Sequence, residues 1–145
     1  MVGIISRDGK LSMTLARSYA DWIHDAAFQH NVSPILVLSV MSIESRFRAT
    51  AVSPSGPIGL LQIAHTWHKK KSSRADLFKP KNNIYVGTRI LAEYSLKDSK
   101  HSDQRTLIRY YGGDRSTSLV YAQKVIDRKH KYEKEILTDF YIKTI

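Results

Sequence analysis

No cysteine occurs in the 145 residues. A disulfide framework and a thiolate metal site are therefore both excluded, the fold must hold by packing alone, and cysteine usage says nothing about redox compartment. No apolar stretch approaches the roughly 20 residues of a membrane-spanning helix. At the N-terminus only Val2, Ile4 and Ile5 are apolar before Arg7-Asp8 ends the run. A secretory signal needs a basic start and a sustained apolar core, so none is expected here. Acidic residues are scarce: 13 Asp and Glu stand against 23 Lys and Arg, a net charge of +10. Such a surface attracts polyanions, whether nucleic acid, anionic lipid headgroups or bacterial wall polymers. Between positions 45 and 75 there is no Asp or Glu at all. Strand-like alternation bounded by hairpin turns and internal repeats are missing as well.

What is present reads as helix. With 42% hydrophobic residues the chain can build one core and too little for two, so a single domain over residues 1–145 is expected. From Ser12 the apolar positions Leu15, Tyr19, Trp22, Ile23 and Ala26 recur at helical spacing, which predicts an amphipathic helix to about Gln29. Ser33-Pro34 is an N-cap followed by proline in the first helical position, and it opens a segment apolar on nearly every side that ends at Glu44. A helix of that kind belongs in the middle of a core. Positions 51–59 hold two prolines and two glycines, which predicts a shaped loop. Gly59-Leu60-Leu61-Gln62-Ile63 is expected to begin a short helix, and the basic stretch from Lys69 to Arg74 to be a solvated connection. Asn82 or Asn83 is a candidate cap for a helix carrying Ile84, Gly87, Leu91 and Tyr94. Ser102 could cap the next helix, which stops at Gly112-Gly113. A last helix holds Leu119, Ala122, Val125 and Ile126 and continues, after a break or without one, through Ile136 and Leu137. The fold class is mostly α, with six or seven helices.

Glu44 stands where the buried helix gives way to the loop. Apolar surroundings favour the protonated form of a carboxyl, which is what a general acid needs near neutral pH. A second carboxylate for a two-acid glycosidase mechanism would have to come from afar, from Asp76, Glu93 or Asp114. The plainer reading of Glu44 is a helix-end carboxylate paired with Arg46 or Arg48.

The neighbouring motifs favour the chemical reading. Ile43-Glu44-Ser45-Arg46-Phe47, then Ala51-Val52-Ser53-Pro54-Ser55-Gly56, then Gly59-Leu60-Leu61-Gln62-Ile63 resembles the signature of the soluble-lytic-transglycosylase (SLT) family, whose fold is similar to goose-type lysozyme. Asn83-Ile84 with Gly87 and Leu91 resembles the family's Asn-Ile-x-x-Gly helix, and Arg109-Tyr110-Tyr111-Gly112-Gly113 stands in the place of its Ala-Tyr-Asn-x-Gly motif. The likeness runs over about residues 12–126, with a C-terminal helical extension after it. Each motif alone is weak; all of them in order are hard to obtain by chance.

The resemblance implies a peptidoglycan lytic transglycosylase with Glu44 as the single acid/base, Ser45, Leu60, Gln62, Tyr110 and Tyr111 as substrate-binding residues, and no metal or cofactor. Bland readings stand beside these roles: Ser45 as a helix-end cap, Gln62 as a satisfied polar residue, Tyr110 as a core aromatic. Tyr111 replaces the family's Asn and Arg109 its Ala, which changes the cleft's hydrogen bonding at that point. Tyr94, Tyr110, Tyr111 and Tyr121 could form an aromatic floor for sugar rings. His65, Trp67 and His68 suggest a metal site only faintly, and surface histidines suit them better. The expected partner is the peptidoglycan glycan strand, without nucleic acid, acted on by a monomer in the bacterial wall or periplasm. A small, basic, cysteine-free domain of this kind resembles wall-degrading enzymes of bacteriophages, serving lysis or the opening of the wall during infection; export by a specialised secretion system fits nearly as well. The rival readings are a lysozyme-type hydrolase of the same fold and a non-catalytic wall-binding or nucleic-acid-binding domain, the latter resting on the charge alone.

Overall fold

The chain folds as α-helices linked by short turns and one long shaped loop. A computed structural model describes residues 1–144. In order these are α1 (Val2–Gly9), α2 (Met13–His30), α3 (Pro34–Ser45), α4 (His65–His68), a 3-10 turn (Asp76–Phe78), α5 (Pro80–Leu96), α6 (Asp103–Tyr111) and α7 (Arg115–Thr144). Among the described residues only isolated bridges, Val52 to Ile58 and Ile58 to Ile63, have strand-like pairing.

Helices α2 and α3 start on their serine caps. Ser12 accepts a hydrogen bond from the Leu15 amide at 3.2 Å, and Ser33 accepts one from the Leu36 amide at 3.3 Å, with Pro34 in the first turn of α3. Every residue of α3 from Leu36 to Ser42 is buried. The helix packs on α7 and α2 and belongs to a core that also takes side chains from α1, α5 and α6 and Ile58, Leu60, Leu61 and Ile63 of the long loop. It ends because Arg46 and Phe47 both take the left-handed conformation, at φ 51° and 63°. Two such non-glycine residues in succession are sterically costly, and the burial of the Phe47 side chain holds the turn in place.

Three expectations are overturned, and two stretches left open by the sequence are settled. Val2 to Gly9, to which the sequence assigned no element, forms α1: Ile4 and Ile5 sit in the core, and so short a helix is stable only through that docking. Positions 59–63 do not begin a helix. Ile58 and Ile63 exchange backbone hydrogen bonds at 3.1 and 2.9 Å, closing a tight loop in which Gly59 and Gln62 adopt φ 79° and 47°. Neither Asn82 nor Asn83 caps α5, which starts at Pro80 without a side-chain cap, and Ser102 precedes α6 without a capping bond from its side chain. The last helix has no break. After Gly113 the chain contains neither proline nor glycine, and α7 runs on for 30 residues.

Asn83 is used for something more specific. Its side chain, 1% exposed, accepts from the Leu61 amide at 2.8 Å and donates to the carbonyls of Ile58 and Leu77 at 3.0 and 2.8 Å. One amide thus ties the shaped loop to the start of α5. The Asn83 side chain lies so close to Gly59 that a Cβ there would come within 2.2 Å of its Nδ2. Gly87 likewise lets α5 approach Leu61, whose Cδ1 would stand 2.4 Å from an added Cβ. The loop beside Glu44 is therefore seated directly on helix backbone.

Candidate active site

Glu44 occupies the last turn of α3, at the meeting of two cavities. One, of about 550 Å³, is lined by Glu44, the loop residues Ser53 and Gln62, His68 and the Tyr110-Tyr111-Gly112-Gly113 end of α6. The other, of about 280 Å³, is lined by Glu44, Arg48, Thr50 and the opposite flank of the same loop. Larger cavities occur elsewhere on the molecule, but Glu44 lines neither of them.

Burial is the main influence on Glu44 and raises its carboxyl pKa to about 7. A single hydrogen bond acts the other way. Tyr121 Oη, from the second turn of α7, donates to Glu44 Oε1 at 2.5 Å and favours the ionised form. The pairing with Arg46 or Arg48 is not seen: Arg48 Nε donates instead to the Ser45 carbonyl at 3.2 Å. Tyr121 is itself buried, and desolvation together with the nearby carboxylate holds its hydroxyl pKa well above the ordinary tyrosine value. It therefore keeps its proton and donates it in the hydrogen bond at neutral pH. Among the described residues Glu44 is the only carboxylate lining either cavity. The distant candidates are engaged elsewhere. Glu93 pairs with Lys71 at 2.7 Å and Arg89 at 3.1 Å, Asp76 pairs with Lys79 at 2.7 Å, and Asp114 accepts from the amides of Ser116 and Thr117 at the start of α7.

The structure brings together some of the residues expected from sequence and separates others. Gln62, Tyr110 and Tyr111 line the larger cavity with Glu44. The Gln62 amide is committed to the loop: Nε2 donates to the carbonyls of Ala51 and Gly59 at 3.1 and 3.0 Å, while Oε1 accepts from the Ser53 hydroxyl. Tyr110 Oη donates to the Leu61 carbonyl at 2.6 Å. Tyr110 therefore fastens the loop to α6, and the hydroxyl that reaches Glu44 belongs to Tyr121. Ser45 and Leu60 line neither cavity. Ser45 is buried and donates to the Met41 carbonyl one turn back at 3.1 Å, and Leu60 is wholly in the core. Tyr94 packs against the core and lines neither cavity, while Tyr111 stacks on Tyr121 with ring centroids 4.8 Å apart. The sequence suggests only a place for Tyr121 among sugar-binding aromatics. Its role at Glu44 had one available signal, since a tyrosine on the buried stripe of a helix needs a partner for its hydroxyl. His65 and His68 bracket α4, and among the described residues no group of three His, Cys, Asp or Glu could hold a metal ion.

A mostly α protein with one proton-holding carboxyl at the end of a buried helix, facing a cleft walled by a pinned loop and aromatic rings, has a site suited to general acid–base chemistry. Residues 21–132 match the family model described as "Transglycosylase SLT domain". The chain belongs to that family. Over 87 residues it is 38% identical to a protein named membrane-bound lytic murein transglycosylase C of Serratia proteamaculans and 39% identical to its namesake in Photorhabdus laumondii, each alignment covering 53% of this chain and 24% of the relative. The namesake of Yersinia pestis is 36% identical over the same length. The chain thus spans about a quarter of the length of these curated relatives. No helix among the described residues is long and apolar enough to cross a membrane.

Proposed function

We propose that this chain cleaves the β-1,4 bond between N-acetylmuramic acid and N-acetylglucosamine in peptidoglycan and leaves 1,6-anhydro-muramyl ends, acting in the bacterial wall or periplasm. The observation that carries the reading is the solitary carboxyl: Glu44, its pKa lifted to about 7, faces cavities that hold no second carboxylate among the described residues. Family membership and the names of the relatives point the same way.

In this mechanism protonated Glu44 gives its proton to the glycosidic oxygen as the bond to the muramyl anomeric carbon breaks. The muramyl N-acetyl carbonyl stabilises the developing positive charge, a substrate-assisted route that needs no enzymic nucleophile. Glu44, now ionised and held by Tyr121, takes the proton of the muramyl C6 hydroxyl, whose oxygen closes on the anomeric carbon. The acid is regenerated and no water is consumed. Tyr111, 46% exposed, offers a ring face to a sugar. Gln62 and Tyr110, with their polar atoms already bonded to the loop, shape the cavity wall, while Ser45 and Leu60 support it from behind.

The mass of the products tests this directly. Digestion of purified peptidoglycan is expected to release muropeptides lighter by one water than lysozyme products and resistant to borohydride, because an anhydro sugar has no reducing end. Reducible ends as the main product would make the protein a hydrolase.

A further inference from the structure

Glu44 and Tyr121 come from α3 and α7, and an O–H···O bond of 2.5 Å tolerates little relative movement of the two helices. The apolar contacts between these helices are non-directional and do not by themselves set the register. A second, polar junction joins the same pair. Ser42 lies two residues before Glu44, and its hydroxyl accepts from Arg128 Nη1 at 2.6 Å and stands 2.8 Å from Tyr132 Oη. Tyr132 is wholly buried and Ser42 4% exposed. The tyrosine also bonds Asp8 Oδ2 of α1 at 2.7 Å. A carboxylate only accepts, so the single Tyr132 proton goes to Asp8, and the serine hydroxyl supplies the proton between Ser42 and Tyr132. Burial pushes the Asp8 carboxyl up, but hydrogen bonds from Arg7 and Tyr132 outweigh it and hold the group below its ordinary value, hence ionised. Arg7 in turn reaches Glu135 of α7 at 3.0 Å. Three helices meet in one satisfied network, and α1 precedes the span matched by the family model.

We propose that Asp8, Ser42, Arg128 and Tyr132 form a positioning network through which α1 holds α3 against α7 and so keeps Glu44 within reach of Tyr121. None of the four lines a cavity at Glu44, so they act through the acid rather than on substrate. The proposal rests on Glu44 being the catalytic acid.

The test is a double-mutant cycle on soluble glycan fragments, with melting temperatures measured alongside. Tyr132→Phe keeps the ring and removes the hydroxyl; Asp8→Asn keeps the shape and removes the charge. Each is expected to lower kcat about tenfold with KM changed less than twofold, at temperatures well below melting. Each should also move the alkaline limb of the pH profile upward, as loss of the Tyr121 bond would. Tyr121→Phe combined with Tyr132→Phe should be little worse than Tyr121→Phe alone, because both act on one contact. A folded Tyr132→Phe with unchanged kcat and pH profile, or losses that add in the double variant, would overturn the network. If Tyr132→Phe does not fold, the same comparison with Asp8→Asn decides it. Glu44→Gln run in parallel keeps the two readings apart: full activity there sinks the acid itself, whereas a dead Glu44→Gln beside a fully active Tyr132→Phe sinks only the network.

Discussion

Glu44 is buried by the walls of its site, and that burial has a thermodynamic cost as well as a catalytic use. Its pKa rises from an ordinary 4.5 to about 7. The raised value means that the folded state binds the proton more tightly than the unfolded chain does. The associated stability is fully present below pH 4.5 and is lost as pH rises through about 7. The displacement corresponds to about 3 kcal/mol, an upper bound because the structure relaxes around a charge. Glu44→Gln carries no such charge. Its melting temperature should therefore match the wild type near pH 4 and exceed it at pH 8, while clearing of peptidoglycan is abolished; equal stability of the two proteins at both pH values would refute the raised pKa. Tyr121→Phe removes the one bond that lowers that pKa. We expect its alkaline limb above the wild-type position, with kcat reduced about ten- to a hundredfold as the carboxyl loses its orientation. A limb shifted downward would show that Tyr121 does not stabilise the carboxylate.

At the scale of elements the site is assembled from one helix end, one loop and two incoming helices. The loop between α3 and α4 has little regular structure of its own, so its shape comes from what grips it: Asn83 of α5, Tyr110 of α6 and its own Gln62. Removing the Asn83 amide strips partners from the buried Leu61 amide and Leu77 carbonyl, whereas the Ile58 carbonyl keeps the Ile63 amide. Asn83→Ala is expected to destabilise by about 2–4 kcal/mol, read as a shifted denaturant midpoint. Its remaining folded population should have a lower kcat, since the wall facing Glu44 is no longer held. A loss below about 0.5 kcal/mol would mean that water replaces the amide and that the loop is held elsewhere.

For the whole molecule the governing quantity is the charge of +10. Nine ion pairs are formed among the described residues, most of them partly exposed and each worth little, so the positive excess is left as a field around the protein. Salt shortens the reach of that field, to about 10 Å at 0.1 M. Binding to whole sacculi, measured by sedimentation, should weaken as salt rises from low to physiological strength, while turnover of short soluble glycans changes much less. Equal sensitivity of both would locate the charge effect inside the cleft.

Some of this protein was determined by its sequence alone, because the chemistry concerned is local. Ser12 and Ser33-Pro34 start α2 and α3 through bonds that span only three residues, Gly112 ends α6 by adopting the left-handed turn, and the apolar run before Glu44 has nowhere to lie except the core. The absence of Asp and Glu between positions 45 and 75 already pointed to a lone acid. Other features depend on packing between distant segments, which no short stretch encodes. Tyr121 meets Glu44 across 77 residues and Tyr132 meets Asp8 across 124, and both contacts exist only because an unbroken α7 lies against α3 for the first and reaches α1 for the second. The same packing turned Asn83 from a helix cap into a clamp on the loop and drew Ser45 and Leu60 inward. It also made a helix of Val2 to Gly9, whose two buried isoleucines are stable in helical form only once the rest of the core is there to receive them.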